Sequence, residues 1–289
     1  MMFERPFPHE NAPRFESLLN FTASSEGFRP ELIEKDYFCS LILAHLHAAS
    51  NNLVFKGGTC LGKVHLNFFR LSEDLDFCVL SPNLRKRAVR QDCISPLKVA
   101  VESLPAGIPG LAVLDPLIGR NKSTQYIAVV SYTSLFRKKQ GTLKIEIALR
   151  EGLLRDPVHG SARTLLRDAF TGESALPPFL VQSIEFLEAL AEKTRAALTR
   201  LPPAIRDFFD LDYANQNLRL DFEDDTFLEL VRRKLAVPGT GPVDLSHGRR
   251  VQLEKQVEGQ LRPVLRSCDY LRFDLQRIWA MLTTLAEQL

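Results

Sequence analysis

The sequence predicts an α+β protein, in which a mixed sheet with flanking helices is followed by an α-helical C-terminal domain. At least four short apolar runs in the first half are typical of strands, and helical patterns separate them. Beyond residue 178 the patterns are almost all helical. Prolines and glycines accumulate over residues 155–178, so we place a boundary there between an α/β domain, 1–160, and a helical domain, 161–289.

The composition is that of a globular protein without a membrane anchor. Of 289 residues, 45% are hydrophobic and 25% are charged, and the apolar runs are too short to span a bilayer. The first residues lack the basic and apolar regions of a signal peptide. Five scattered cysteines without CxxC spacing suit a reducing compartment. We therefore expect a cytoplasmic protein that has no membrane partner.

The first long helical pattern begins at Pro30, a residue that the first turn of a helix tolerates. It continues through PELIEKDYFCSLILAHLHAA, with apolar residues at helical spacing. Glu34 projects onto the edge of this apolar stripe, where a carboxylate requires a partner. A short strand, 53–55, then leads through a glycine turn into a short helix, 59–69, and a second strand, 74–80.

The remaining elements are predicted from the spacing of apolar residues, which recur about every 3.6 residues on one face of a helix and every two residues on one face of a strand. Residues 84–104 form a helical pattern that we expect Pro96 to break or kink. Two more strand-like runs, 126–132 and 142–149, bring the predicted strands to four. The helical domain is predicted to contain helices at 179–200, 203–217, 223–236 and 251–287, the last interrupted at Pro263.

The glycine turn is suited to binding a phosphate. Gly57 and Gly58 end a strand and begin a helix, so the backbone permits close approach and the helix dipole favours an anion. Thr59 adds a hydroxyl, and Lys63 and Arg70 add positive charge toward a triphosphate. We therefore predict that these five residues bind a nucleotide.

Two aspartates on the second strand are suited to binding a metal. Asp74 and Asp76 lie on one strand face, with Cα atoms roughly 6–7 Å apart, because successive side chains alternate. The two charges repel each other unless a cation is present, and such hard oxygen ligands suit Mg²⁺ ions that clamp a nucleotide's phosphates. Glu146 alternates with large apolar residues in a later strand, which makes it the candidate third carboxylate and general base.

Basic residues occur in local clusters, although the net charge is only +2. The clusters are Arg85–Arg87 with Arg90, then Arg137–Lys139, then Arg249 and Arg250. A single cluster is most often a solvated face, whereas several beside a nucleotide site would indicate nucleic-acid binding. The charge by itself neither requires nor excludes an RNA substrate.

Other interpretations of the same segments are open at this point. A lone DxD or a lone Gly-Gly is most often structural. Gly57-x-x-x-x-Gly62-Lys63 nearly matches the phosphate loop of a P-loop NTPase, but Val64 stands where Ser or Thr binds Mg²⁺. A kinase-like phosphotransferase on the same fold could use the same metal site and would release ADP instead of pyrophosphate. The three carboxylates argue against a degenerate binding protein, and no zinc or serine-hydrolase motif occurs.

The order of the motifs resembles the AbiEii/AbiGii toxin family of nucleotidyltransferases, within the DNA polymerase β-like superfamily. The superfamily pattern is an apolar strand, G-[GS], a spacer, D-x-[DE] and a later carboxylate, here Gly57-Gly58, Asp74, Asp76 and Glu146. The fuller family signature is similar to residues 34–37, 55–61 and 70–76, and to Glu192-Lys193 and 206–211. The spacer of fifteen residues is long for the pattern, and Cys60 stands where Ser or Ala is usual.

The resemblance implies transfer of a nucleotidyl group from an NTP to an acceptor, with release of pyrophosphate. Some members act on the 3′ end of tRNA, and each is silenced by an antitoxin encoded beside it. The resemblance assigns metal binding to Asp74 and Asp76, and activation of the attacking hydroxyl to Glu146. The residues to which it assigns phosphate binding are Gly58, Thr59 and Ser72.

The resemblance also assigns a role to the helical domain. Lys193 lies at the edge of the apolar stripe of helix 179–200 and is implied to face the triphosphate. Asp207 or Asp210 is implied to lie behind it, and helical projection does not choose between these two aspartates. The alternative for Lys193 is a lysine that buries its stem and leaves its ammonium in water. Because a lysine at the rim of an apolar stripe contributes little packing, we expect Lys193→Ala to change thermal stability very little.

Overall fold

The computed structural model of the protein describes residues 6–81, 86–136, 140–218 and 220–289. These residues form two compact units, of which the first ends at Ile184 and the second is Glu185–Leu289. The predicted boundary after residue 160 lies inside the first unit, because strand residues that follow it join the same sheet as the earlier strands. None of the helices in these ranges has the length and apolarity of a membrane span.

The first unit consists of helices and a mixed sheet, so the predicted fold class is confirmed for this half. The α-helices are α1 Ala12–Glu26, α2 Pro30–Ala49, α3 Gly57–Cys60 and α4 Arg87–Gly107, and α3 continues as a π-helical turn, Leu61–His65. The strands are β1 Leu53–Lys56, β2 Asp74–Val79, β3 Leu111–Arg120, β4 Gln125–Tyr132, β5 Gly141–Ala148, β6 Val158–Ala162 and β7 Phe179–Ser183.

The sheet has the strand order β3-β4-β5-β2-β1-β7-β6. The pairs β2–β5 and β1–β7 are parallel, whereas the other neighbouring pairs are antiparallel. A parallel pair needs a long connection, which α4, β3 and β4 provide between β2 and β5. This topology brings residues 74–79 beside residues 141–148, and it determines the site described below.

Strands β3, β6 and β7 were not predicted. β3 contains Pro116 and pairs with β4 through register shifts, which an edge strand tolerates and which obscure its periodicity. β7 occupies the start of predicted helix 179–200, so that prediction is wrong over its first residues. Phe179 and Val181 are buried in alternation, and a helix begins only at Phe186, because pairing with β1 favours the extended backbone before it.

Helix α4 continues through Pro96, so of the predicted break or kink at this residue the break is wrong. Proline inside a helix removes a hydrogen bond and costs about 3 kcal/mol. Ile94, Leu97 and Val101 are all buried on the inner side of the helix. Burial of each such side chain contributes roughly 1.5–3 kcal/mol, which offsets the cost of the proline.

Helix α2 is buried on almost every side over residues 32–44, instead of along a single stripe. Its charged residues therefore require internal partners. Glu34 accepts hydrogen bonds from the Ser134 hydroxyl at 2.6 Å and from the Leu135 N–H at 2.7 Å. Lys35 forms an ion pair of 2.7 Å with Glu73, which holds the chain just before β2. The predicted need of Glu34 for a partner is confirmed.

The second unit is helical, as predicted. Its α-helices are α5 Phe186–Thr199, α6 Ile205–Leu218, α7 Asp225–Leu235, α8 His247–Gln256, α9 Ser267–Arg272 and α10 Leu275–Glu287. Pro263 lies in a 3₁₀ turn, Arg262–Val264, between α8 and α9, so the predicted interruption at this residue is confirmed. Phe208 stacks on Trp279 with ring centroids 6.0 Å apart, and this contact packs α6 against α10.

Candidate functional site

The predicted carboxylates of the first unit lie on one face of the sheet. Asp74 and Asp76 are two residues apart on β2, and Asp76 is in register with Glu146 on the neighbouring parallel strand β5. Neighbouring strands lie about 4.8 Å apart, so the side chains of Asp76 and Glu146 project side by side. We call the surface that carries Asp74, Asp76 and Glu146 the carboxylate face.

The opposite face of the same strands is apolar. Leu75, Phe77 and Ile145 are buried, whereas the side chains of Asp74 and Glu146 are 42% and 24% exposed. The predicted alternation of the two strands is thereby confirmed. The apolar side chains anchor the strands in the core, and the carboxylates stay accessible to a ligand.

A lysine that the sequence analysis did not single out lies among these carboxylates. Lys144 is in register with Asp74, and its ammonium lies 3.8 Å from Asp74 Oδ2 and 3.2 Å from Glu146 Oε2. Burial lowers the pKa of Lys144, but the charges of Asp74, Glu146 and Asp76 outweigh it, so the pKa is raised above its ordinary value. The signal in the sequence was the two-residue spacing to Glu146, which places both on one strand face.

Both carboxylate oxygens of Glu146 are held by neighbouring side chains. Gln125 donates from Nε2 to Oε1 at 2.6 Å, and Lys144 donates from Nζ to Oε2 at 3.2 Å. Gln125 begins β4, which pairs with β5 on the side away from β2. Residues of two strands therefore orient Glu146 toward the carboxylate face.

The donor set of the carboxylate face fits a divalent cation such as Mg²⁺. Asp74, Asp76 and Glu146 offer carboxylate oxygens, the hard ligands that Mg²⁺ prefers, and their partial exposure leaves room for its water ligands. Among the described residues, no group of three or more acidic, histidine or cysteine side chains is already arranged to hold a metal ion.

Side chains of the predicted site pack closely against both glycines. Gly57 has a φ of +76°, in the left-handed region, and a Cβ at this position would overlap Asp76 Oδ2. A Cβ on Gly58 would lie 2.5 Å from Arg70 Nη2 and 3.2 Å from Ser72 Oγ. The structure thus brings five of the predicted site residues together at the edge of the carboxylate face.

Two predicted phosphate ligands have partners within this turn. Thr59 is buried, and its hydroxyl donates to the backbone carbonyl of Asp74. Arg70 is also buried, and its guanidinium lies 5.5 Å from the centroid of the Phe69 ring. The Thr59 hydrogen bond fastens the start of β2 to the glycine turn, so Thr59 positions Asp74 within the site.

Lys63 points into the core, which departs from the prediction that it supplies charge to a triphosphate. Its side chain is 1% exposed, and its ammonium lies 2.5 Å from Asp36 Oδ1 and 2.7 Å from Ser40 Oγ, both on α2. The charge of Lys63 therefore neutralises a buried carboxylate. This contact also argues against a P-loop NTPase, in which the equivalent lysine contacts the phosphates.

The predicted basic clusters are only partly exposed in the described part of the chain, where Lys86 and Arg87 are exposed and Arg250 is half-buried. Arg85 and Arg137–Lys139 lie outside the described residues. Arg90 is buried and donates to the carbonyls of residues 122 and 123. Arg249 is also buried, and it donates to two backbone carbonyls of the second unit. These two arginines stabilise the fold.

In the second unit, the predicted lysine is paired with both candidate aspartates. Lys193 Nζ, on α5, lies 2.8 Å from Asp207 Oδ1 and 3.0 Å from Asp210 Oδ2, both on α6. The two aspartates are buried, and Arg200 adds a contact of 2.9 Å to Asp207. Lys193 is therefore an ion-paired residue, which argues against a solvated lysine and corrects the expectation that Lys193→Ala barely changes stability.

A second buried ion cluster in this unit was not predicted. The Lys234 ammonium lies 2.7 Å from Glu188 Oε1 and 2.9 Å from Glu192 Oε1, and the Lys234 side chain is 1% exposed. The signal in the sequence was helical spacing, because Lys234 follows Phe227 and Val231 on the buried face of α7. Glu192 is part of the Glu-Lys pair that the sequence analysis singled out, so the two ion clusters adjoin on α5.

Comparison with known proteins adds a family match. A family model described as the nucleotidyl transferase AbiEii toxin of a type IV TA system matches residues 41–285, which include every predicted site residue. A search of curated proteins gave no match.

Two solved structures from Helicobacter pylori are similar in fold. One, of a candidate nucleotidyltransferase, is 18% identical with a TM-score of 0.48, over 88% of this chain and 92% of that chain. The other, of JHP933, is 18% identical with a TM-score of 0.49, over 90% of this chain and 92% of that chain. Likeness at this level carries no information about activity.

Proposed function

The chain belongs to the AbiEii family of nucleotidyltransferase toxins of type IV toxin–antitoxin systems, and on this premise we propose that it transfers a nucleoside monophosphate from an NTP to RNA. The proposed reaction takes place at the carboxylate face of the first unit. The acceptor implied by the family resemblance is the 3′ end of a tRNA.

The observation that supports this proposal most directly is the register between β2 and β5, which sets Asp76 beside Glu146. Nucleotidyl transfer needs groups that bind a cation and a group that accepts a proton, all near one phosphorus atom. One face of the sheet with three partly exposed carboxylates on β2 and β5 supplies both kinds of group.

In the proposed reaction, the oxygen of the acceptor hydroxyl attacks the α-phosphorus of the NTP. A bond forms between these two atoms, and the bond from the α-phosphorus to the bridging oxygen of the β-phosphate breaks. Pyrophosphate leaves with the electron pair of that bond. Glu146 accepts the proton of the hydroxyl, and Gln125 holds its carboxylate in place.

Asp74 and Asp76 would hold Mg²⁺, with Glu146 as a third ligand. When bound, the ion supplies positive charge to the phosphate oxygens of the transferring group. The contact of Asp76 with Gly57 restricts the orientation of that carboxylate in advance. We propose that the turn 57–59 and the Ser72 hydroxyl bind the phosphate oxygens.

The proposal extends to the second unit because the family match includes α5 and α6. Lys193 is proposed to supply positive charge to the triphosphate of the NTP. Asp207 and Asp210 then orient its ammonium, since both carboxylates contact it. A lysine held by two buried carboxylates has a defined position, which suits this role.

A cognate antitoxin is the proposed protein partner, because the family is defined by toxin–antitoxin systems. Expression of the chain alone should slow bacterial growth, and coexpression of the antitoxin should restore it. Asp76→Asn should abolish the growth defect without the antitoxin. A growth defect that persists in this variant would assign toxicity to something other than nucleotidyl transfer.

The proposed activity is tested by incubating the protein with each labelled NTP, Mg²⁺ and total RNA. We expect labelled RNA with the wild type and none with Asp76→Asn, in which a metal ligand loses its charge at constant shape. The matched control is Asp115→Asn, an exposed carboxylate on β3 of the same sheet, which should keep full activity. If Asp76→Asn keeps more than about a tenth of wild-type activity, its activation barrier has risen by less than about 1.4 kcal/mol. That result would contradict the assignment of Asp76 as a metal ligand.

Two further measurements distinguish a nucleotidyltransferase from a kinase-like phosphotransferase, and an RNA acceptor from a protein acceptor. A nucleotidyltransferase releases pyrophosphate, whereas a kinase-like phosphotransferase releases ADP from ATP. Labelling of RNA should weaken steeply as salt increases, because phosphate contacts displace counterions. Label that enters protein, with little dependence on salt, would replace RNA by a protein acceptor.

A further inference from the structure

Lys144 lies where a cation of the carboxylate face is expected. We propose that its ammonium is the internal counter-cation of this face, which holds Asp74 and Glu146 when no metal is bound and leaves them when a divalent ion binds. This inference rests on the proposed function, because it concerns the metal that the proposed transfer requires.

The first step is the charge of the face. Asp74, Asp76 and Glu146 place three negative charges on two neighbouring strands, and Asp76 and Glu146 are directly in register. Like charges opposite each other on neighbouring strands are destabilising. Lys144 contacts two of the three carboxylates, at 3.2 Å and 3.8 Å, and so reduces this repulsion in the metal-free protein.

The second step is competition for the same oxygens. Mg²⁺ binds carboxylate oxygens at about 2.0–2.1 Å in a nearly octahedral shell. An ion that takes Asp74 Oδ2 and Glu146 Oε2 as ligands needs the space that the Lys144 ammonium occupies between them. Two cations repel each other at that distance, so the ion and the ammonium exclude each other.

The third step is the freedom of the lysine to move. The Lys144 side chain is 40% exposed, and its flexible four-carbon stem allows the ammonium to turn into solvent. Lys63 offers a contrast, because its ammonium is enclosed between α2 and the π-helical turn. Lys144 is thus a positioning residue that keeps the carboxylates together and lowers their affinity for a divalent ion.

The experiment measures Mn²⁺ binding to the nucleotide-free protein by isothermal titration calorimetry. Lys144→Met removes the charge at similar length and should lower the Kd for Mn²⁺ by about tenfold, because the ion no longer displaces an ammonium. Lys144→Arg keeps the charge and should bind Mn²⁺ no more tightly than the wild type. Lys98→Met, an exposed lysine on α4, controls for the change in net charge and should leave the Kd unchanged.

A Lys144→Met protein that binds Mn²⁺ with the wild-type Kd would overturn the inference and leave the proposed function intact. Tighter Mn²⁺ binding by Lys144→Arg would also overturn it. If neither the wild type nor any variant binds Mn²⁺, the metal site of the proposed function fails, and the inference fails with it. Thermal unfolding adds a second readout, because Mn²⁺ should raise the Tm of Lys144→Met more than that of the wild type.

Discussion

Asp76 on β2 and Glu146 on β5 are in register across two parallel strands, so two carboxylates that are far apart in the chain lie side by side. Each is also held by a different part of the fold. Asp76 packs against Gly57 of the glycine turn, and Glu146 accepts hydrogen bonds from Gln125 and Lys144. The two residues can therefore differ in role, because both are proposed to bind the cation and only Glu146 is proposed to accept a proton.

Glu146→Gln should lower kcat by about 10²–10⁴-fold, because the amide cannot accept the proton of the acceptor hydroxyl. NTP binding, measured by equilibrium dialysis, should change much less than the rate. A transfer rate within about tenfold of the wild type would remove Glu146 as the general base. Asp115→Asn again serves as the control, since it lies in the same sheet outside the carboxylate face.

Gly57→Ala should abolish activity, because a Cβ at this position would overlap the Asp76 carboxylate. The left-handed backbone should add a loss of stability of about 1–2 kcal/mol. Gly172→Ala is the matched control, because Gly172 has a similar φ of +71° and nothing within 4 Å of an added Cβ. Equal activity of the two variants in the labelling assay would show that the contact with Asp76 does not matter.

Lys193→Ala should lower both stability and activity. The substitution takes the Lys193 ammonium away from the buried carboxylates of Asp207 and Asp210, at a cost of roughly 3 kcal/mol in the free energy of unfolding. At a temperature where the variant is fully folded, we expect a raised KM for the NTP or a lowered kcat. Circular dichroism identifies that temperature, and the labelling assay measures the kinetics.

Lys234→Met separates a structural from a functional role of Lys193. Lys234 is also a buried, paired ammonium of the second unit, and its removal leaves Glu188 buried without that charge. We expect a loss of about 3–5 kcal/mol and, below the unfolding temperature, normal transfer. If the two lysine variants lose activity in proportion to their loss of stability, Lys193 has no part in the reaction.

The cysteines should react in an order set by burial. Burial raises the pKa of the Cys39 thiol to about 12, so at pH 8 this group is protonated and enclosed. Cys268 is exposed and should react first with a thiol reagent such as DTNB. Cys39 should react only after unfolding by guanidinium. Peptide mapping that finds native Cys39 modified as fast as Cys268 would contradict the packing of α2.

Local patterns in the sequence were enough to identify much of the fold and the carboxylate face. The alternation of polar and apolar residues identified β2 and β5, and it showed that Asp74 and Asp76 share one face of β2 and that Glu146 lies on the polar face of β5. This works because successive side chains of a strand point to opposite faces wherever the strand lies in a sheet. The same patterns failed for β3 and β7. Register shifts around Pro116 mask the alternation of β3, and β7 adjoins a helix with which its pattern merges.

The sequence by itself determined which side chains share a strand face and which turn needs glycine, since both depend on the backbone of a few adjacent residues. Only the tertiary structure decided that β5 lies beside β2, because strand order depends on packing between distant segments. It also decided the directions of two lysines that look alike in the sequence. Lys63 is drawn into the core by Asp36 of α2, and Lys144 is held at the carboxylate face by Asp74 and Glu146.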